Sequence, residues 1–300
     1  MPHITANFID IYYEVVPACG VLAWPSNGSI QEVPDTCQLL LIQGLGGQLI
    51  SWNSLFISEL SSRGLELILL DNRDSGLSTK FDGSGDRPTS YTVEDMADDV
   101  MGLVEALGID SLHVLGGSMG GMIAQSFSIR FPEKVRSLCS IMSTTGAPGL
   151  LSPTPEVVAA LTRKPEFERE RVISSGLDTW RLIWGSGYDF EDEYVANKIA
   201  SEFDRSFYPQ GVGRQLAAIM SSPDRTDDLA RLKLETLVIH GQDDPLISIA
   251  GGQATHQAIS GSKFVSYPGM GHSMPGPLIA PIVDQIVANV CRAELALRSQ

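Results

Sequence analysis

The stretch Leu112–Gly121, LHVLGGSMGG, sets a serine at the centre of a G-x-S-x-G pattern made by Gly116, Ser118 and Gly120. The pattern is short, and its flanks give it weight. Leu112–Leu115 reads as a buried strand, and Met119–Arg130 (MGGMIAQSFSIR) reads as a helix closed by Phe131 and Pro132. A strand-to-helix turn this sharp holds the serine in a strained backbone conformation, and the glycines remove Cβ atoms that would collide. The hydroxyl is then exposed, with a helix N-terminus behind it to favour developing negative charge.

Outward from this turn, apolar runs recur at Leu39–Gln43, Leu65–Leu70, Leu138–Met142, Leu237–His240 and Lys263–Tyr267. Near-continuous apolar runs belong to strands covered on both faces, as in a mostly parallel sheet. Helical patterns alternate with them. Val93–Leu107 sets Met96, Val100, Leu103, Val104 and Leu107 on one face and Asp95, Asp98, Asp99 and Glu105 largely opposite, and Gly108 ends it. Phe8–Val16 reads as an antiparallel edge strand. The expectation is a doubly wound α/β fold. The rhythm breaks between Gly146 and Arg231, where prolines precede helical stretches rich in Trp and Tyr. The chain is therefore expected to hold a core in two parts, 1–145 and 232–300, around a helical cap at 146–231. Such an insertion sits over the carboxyl ends of strands, where ligands bind.

The 300 residues carry 21 basic and 36 acidic side chains, a formal charge of −15. That field repels nucleic acid, and no basic stripe overrides it. No run of apolar residues is long enough to span a bilayer, and residues 1–10 lack a secretory pattern, so a cytoplasmic protein is expected. The cysteines Cys19, Cys37, Cys139 and Cys291 show no metal-ligand spacing and read as reduced thiols. A Cys19–Cys37 bridge is the minor alternative, since both sit in the irregular segment before the first strong strand.

A serine hydroxyl needs a base within hydrogen-bond reach. Of five histidines, His3 is terminal, His113 and His240 fall in buried strands, and His256 falls mid-helix as a surface residue. His272 follows the last strand through Pro268, Gly269, Met270 and Gly271, a loop able to aim it back over the strand ends. The acid that orients it is expected beyond another strand, where Leu237–His240 leads to Asp243 and Asp244. One of that pair could equally cap the next helix. The order serine, acid, histidine suits this fold. For an oxyanion hole, Met119 offers one backbone N–H, and the Gly44–Gly47 loop after Leu39–Gln43 offers the other. That loop has neither dinucleotide nor P-loop spacing, so no cofactor is expected.

The sequence now resembles the α/β-hydrolase superfamily over nearly its whole length. LLLIQGLGG resembles the oxyanion strand and loop, and LILLDNRDSGLSTK the D-x-R-x-x-G-x-S turn. GGSMGGMIAQ, IHGQDDPL and PGMGHSMP resemble the nucleophile, acid and histidine motifs. YTVEDMADD, FDRSFYPQGVGRQ and PGMGHSMP are most similar to the aclacinomycin methylesterase-like carboxylesterases. The resemblance selects Asp244, the third residue after Gly241, over Asp243, and puts the second oxyanion donor on the Leu45 N–H. Gln43 stands where many relatives have histidine, and Pro17–Thr36 reads as an insertion. It implies a serine esterase with Ser118, Asp244 and His272 as its triad, no metal, and a small apolar or aromatic ester as substrate. Two other readings share these residues: hydrolysis of a carbon–carbon bond in a dienoic diketone or of a lactone, and a ligand receptor on a hydrolase frame. Substrate identity and oligomeric state depend on side-chain placement that the linear pattern does not carry.

Overall fold

In the computed structural model, which describes residues 2–26, 29–32, 37–83 and 90–298, the apolar runs become strands of one sheet. In chain order the first half holds β1 (His3–Ala6), β2 (Ile9–Val16), β3 (Ala23–Ser26), β4 (Ser29–Glu32), β5 (Cys37–Ile42), α1 (Ser54–Ser62), β6 (Leu65–Leu70) and α2 (Val93–Ala106). Then come β7 (Leu112–Gly117), α3 (Met119–Arg130) and β8 (Val135–Ile141). Five helices follow: α4 (Pro155–Leu161), α5 (Arg169–Ile183), α6 (Asp192–Arg205), α7 (Pro209–Ser221) and α8 (Thr226–Leu229). The chain closes with β9 (Glu235–Gly241), α9 (Ile249–Ala258), β10 (Lys263–Tyr267) and α10 (Gly276–Arg298). The eight-stranded sheet runs β1-β2-β6-β5-β7-β8-β9-β10, parallel from β6 onward, with β1 and β2 antiparallel at one margin. This is the α/β-hydrolase fold, with its helical insertion between β8 and β9, ahead of the strand that leads to Asp244.

Successive residues of a strand face opposite ways, and both faces are buried. Leu39, Leu41, Leu65, Leu67 and Leu69 pack with Phe56 and Leu60 of α1 and Ile282, Val283 and Ile286 of α10. Leu40, Ile42, Ile68, Leu70 and Val114 pack with α2 and α3 on the other face. Each fully buried Leu or Ile contributes about 1.5–3 kcal/mol by leaving water. The sheet is therefore a rigid platform. Chain order reverses between β5 and β7, which are neighbours with Ile42 opposite Gly116. Loops leaving their carboxyl ends meet at this switch point, where ligands bind in open α/β sheets.

Three local expectations need correction. The edge strand is β1, not Phe8–Val16: Asn7 and Phe8 have φ of 49° and 63° and form a tight turn, which leaves Phe8 94% exposed. Asp99 is not on the solvent face of α2 but buried, accepting from Arg73 Nε at 2.6 Å and Nη2 at 2.7 Å. His256 is half-buried, its Nδ1 2.8 Å from Ser262 Oγ and its ring stacked on Phe264. The thiols agree with the reading as reduced cysteines: all four are free, Cys19 exposed and the others buried, so Cys19 and Cys37 do not pair. Burial pushes the Cys37 thiol up to about 12 and Cys291 to about 11, and Cys139 is raised as well. Within the segment read as an insertion, β3 and β4 pair as a separate antiparallel ribbon, while 27–28 and 33–36 lie outside the described residues. Among the described residues no helix is long and apolar enough to cross a membrane.

Candidate active site

Ser118 stands in the turn from β7 to α3 with φ 56° and ψ −122°, a region that costs a non-glycine residue of order 1–3 kcal/mol. The surroundings hold it there. Its N–H donates to Ile141 O at 2.9 Å, and its carbonyl accepts from Gly121 N at 2.9 Å and Ser143 Oγ at 2.8 Å. A Cβ on Gly116 would strike the Gly120 carbonyl oxygen, and one on Gly120 would strike that of Ile42. The turn can close only with glycine at both places. Met119 opens α3, so its N–H has no intrahelical acceptor and lies beside the serine at the positive end of the helix.

His272 Nε2 lies 2.8 Å from Ser118 Oγ, and its Nδ1 lies 2.7 Å from Asp244 Oδ2. An ionised carboxylate can only accept, so Nδ1 carries the proton and Nε2 is free to accept the serine proton. Asp244 Oδ1 takes the N–H groups of Leu246 and Ile247, both at 2.9 Å. Burial alone would raise this carboxyl. The His272 and His240 imidazoles and the Ile247 amide outweigh burial and hold it well below the usual carboxylate range. Asp243 is exposed and accepts from Ser186 Oγ in the insertion, so only Asp244 is turned to the imidazole. Distant parts of the chain thus form one hydrogen-bonded Ser–His–Asp relay.

The loop that carries His272 is sewn to the end of α5. His272 N donates to Ile183 O at 2.6 Å, Gly271 N to Trp184 O at 3.0 Å, and Ser273 Oγ to Trp184 O at 2.9 Å. On the opposite side, the Gly44–Gly47 turn closes through Gly47 N to Gly44 O at 3.1 Å. Gln43 bends back on its own loop, its Oε1 3.3 Å from Gly44 N, while its carbonyl accepts from Asn72 Nδ2 at 2.9 Å. Ser118, His272 and Leu45 share a cavity of about 280 Å³ with Trp180, Trp184 and Tyr194 of the insertion. The insertion aromatics therefore divide. Trp184 and Phe190 also build the insertion's own small core with Val195 and Ile199. Phe203, Phe207 and Tyr208 line a separate cavity of about 180 Å³. A larger concavity, about 660 Å³, lies at the amino ends of β8 and β9, where Arg136, Asp228 and Arg231 line it, far from the serine.

The remaining histidines have structural partners. His113 Nδ1 lies 2.8 Å from Ser137 Oγ and its Nε2 lies 3.2 Å from Glu294. His240 Nε2 donates to Ile247 O at 2.8 Å and passes 3.5 Å from Asp244 Oδ2, so it steadies the acid loop in a way that its strand position did not announce. Cys37, His113 and Glu294 bring one ligand atom each within 4.8 Å of one another. Arg136 Nε lies 3.1 Å from Glu294, while His113 Nε2, Arg136 Nε and Glu294 Oε1 are buried without a well-formed hydrogen bond. Lys198 lines the active cavity too, paired with Glu202 at 2.8 Å and lying over the Trp180 ring. Nothing in its helical surroundings singled it out.

The sequence profile described as alpha/beta hydrolase fold matches residues 38–275. Rhodomycin D methylesterase DauP of Streptomyces sp. (strain C5) is 24% identical over 277 residues, 85% of this chain and 91% of that protein. A 2-hydroxy-6-oxononadienedioate/2-hydroxy-6-oxononatrienedioate hydrolase of Pseudomonas putida is 26% identical over 242 residues, 78% of this chain and 81% of that protein. Among solved structures, the enol-lactonase from Burkholderia xenovorans LB400 superposes with a TM-score of 0.73 at 21% identity, covering 97% of this chain and all of that one. With the match spanning most of its length and the relay assembled at the strand ends, the chain belongs to the alpha/beta hydrolase fold family.

Proposed function

We propose that this chain is a serine hydrolase that attacks a carbonyl carbon bearing an enol-type leaving group, as in an enol lactone or a dienoic diketone cleaved at a carbon–carbon bond. The observation that carries the reading is the Ser118–His272–Asp244 relay, closed at 2.8 and 2.7 Å and opening into an apolar, aromatic cavity. In the first step Ser118 Oγ adds to the carbonyl carbon while His272 Nε2 takes its proton and Asp244 supports the imidazolium. The N–H groups of Leu45 and Met119 hold the oxyanion. The intermediate collapses by breaking the bond to the leaving group, which departs as an enol with the proton from His272. Water, activated by the same imidazole, then releases the acid.

The names of two relatives support this choice: one is a hydrolase of a hydroxy-oxo-dienedioate, the other an enol-lactonase. In the lactone the departing charge is that of an enolate from the start. The dienol substrate must first take a proton at the scissile carbon and become the keto tautomer; carbon–carbon cleavage then also releases a conjugated enolate, which takes its proton from His272. The cavity fits, with Trp180, Trp184 and Tyr194 offering flat apolar walls to a conjugated substrate. We assign 146–231 as the cap over this cavity and 1–145 with 232–300 as the catalytic core. Cleavage of a simple carboxylic ester, which the sequence suggested first, is the second reading, and the likeness to DauP supports it.

Ser118→Ala is expected to lower turnover of an enol lactone and a dienoic diketone by about 10⁶-fold and to abolish fluorophosphonate labelling. Turnover that persists in the variant discards the assignment. With wild-type protein, kcat/KM should be higher for enol-type substrates than for aryl methyl esters. The reverse order hands the function to the ester reading, and labelling without repeated cycles would mark a receptor.

A further inference from the structure

The segment FDRSFYPQGVGRQ, residues 203–215, belongs to the insertion, yet its polar side chains reach the core. Arg205 Nη2 lies 2.8 Å from Asp71, Ser206 Oγ donates to Gly76 O, and Arg214 holds both oxygens of Asp74 at 2.8 and 3.0 Å. All of these core partners lie in DNRDSG, residues 71–76, the turn after β6. Two motifs that looked independent in the sequence are facing halves of one junction. Gln215 goes further than its neighbours. It is fully buried, its Nε2 donates to Arg73 O at 2.8 Å and Ser75 Oγ at 2.9 Å, and its Oε1 accepts from Gly46 N at 2.7 Å. Both amide donors and the acceptor are used, so the side chain cannot rotate without leaving a buried group unpaired.

Gly46 is the third residue of the Gly44–Gly47 turn, with φ +70°. An i to i+3 bond with a positive φ at this position is the type II arrangement. Type I and type II turns differ by a flip of the central peptide, here the one joining Leu45 and Gly46. Gln215 grips the N–H of that peptide. Val212, three residues earlier on α7, lies against the same glycine, its Cγ2 3.1 Å from where a Cβ would stand. Among the described residues the Leu45 N–H takes no protein acceptor, so it is left available while the next peptide is fixed.

We infer that Gln215 of the insertion is a positioning residue for the oxyanion loop, so that the Leu45 donor is set only while α7 is docked on the Asp71–Gly76 turn. The inference rests on the reading of Leu45 as an oxyanion donor. Oxyanion stabilisation depends on donors fixed in advance where charge develops, and a displacement of about 1 Å costs on the order of 100-fold. An interaction of this kind acts on the transition state and leaves ground-state binding nearly unchanged.

The test is Gln215→Met, which keeps the length of the side chain and removes its hydrogen bonds. Active sites are titrated to completion with a fluorophosphonate, and single-turnover acylation by p-nitrophenyl acetate is measured per labelled site. The acylation rate is expected to fall 10- to 100-fold, with one label per chain, KM within about twofold of wild type and the midpoint of the pH–rate profile unchanged. A rate per labelled site within twofold of wild type overturns the inference, as does a loss that lies wholly in KM. If the variant does not fold, hydrogen exchange of the Gly46 amide in wild-type protein decides. Protection like that of the β5 and β7 amides supports the contact, and exchange at the rate of an open loop overturns it. A wild-type chain that takes no label instead sinks the reading of Ser118, and the amide measurement then judges the contact alone.

Discussion

The insertion meets the active cavity on two sides, and the two seams are made differently. On the histidine side the bonds are largely backbone to backbone: the amides of His272 and Gly271 on the carbonyls of Ile183 and Trp184. On the oxyanion side they are side chains, with Arg205, Arg214 and Gln215 reaching the Asp71–Gly76 turn and Gly46. A backbone seam asks nothing of side chains except their absence, since a Cβ on Gly185, Gly187, Gly269 or Gly271 would meet the facing main chain at 2.3–2.6 Å. A side-chain seam depends on the groups each residue brings. The base is therefore carried by close main-chain contact that tolerates change everywhere but at its glycines, and the oxyanion loop by the particular polar groups of three side chains.

The largest effect should come from asking whether the backbone seam alone orients the base. Asp244→Asn keeps the loop but offers the imidazole an amide, which favours the wrong tautomer. The loss in kcat should be about 10⁴-fold. Near-normal kcat would mean that the seam, not the carboxylate, orients the ring.

Next is Arg214→Met on the side-chain seam. It leaves Asp74, whose carboxylate is fully buried, with Tyr91 and Phe81 N but no cation. Breaking a buried pair of this kind should cost about 3 kcal/mol, read from urea unfolding at neutral pH. The pH dependence has a definite sign. Burial tends to raise the Asp74 carboxyl, but Arg214, the Phe81 amide and Tyr91 outweigh it and lower it. The pair's contribution is therefore present above the ordinary carboxylate range, near pH 4, and is lost as pH falls through the depressed value. The gap between variant and wild type should narrow in acid. A gap independent of pH would assign the loss to packing instead. The smallest effect is expected for Ser273→Ala, which removes a side-chain stitch from the backbone seam. It should cost about 1 kcal/mol in unfolding and leave kcat within a few-fold. A collapse of kcat would erase the distinction between the seams.

This contrast also explains what the linear pattern could carry. The strand runs, the glycines around Ser118 and the histidine loop are local features, each forced by a turn or a covered sheet face, and they are legible residue by residue. The choice between Asp243 and Asp244 was not local and came only with the family pattern; the reason is visible in Ser186, which occupies Asp243. Gln215 lay in a quoted motif without distinction, because its partners are 140 and more residues away and main-chain groups leave no mark in a sequence. The Asn7–Phe8 turn escaped notice for a different reason. It uses an apolar residue at positive φ where glycine is the usual signal. Substrate choice belongs to the same hidden class, since the cavity walls are assembled from α5, α6 and the strand ends together.

The fate of the sulfur atoms has a practical side. Three thiols are buried, and burial keeps them protonated, while the fourth, Cys19, lies open beside Ser61. A thiolate is the species that reacts with maleimides and disulfides. The native chain thus presents a single exposed thiol, beside the carboxyl end of α1, where a dye or a surface tether can be fixed without engineering.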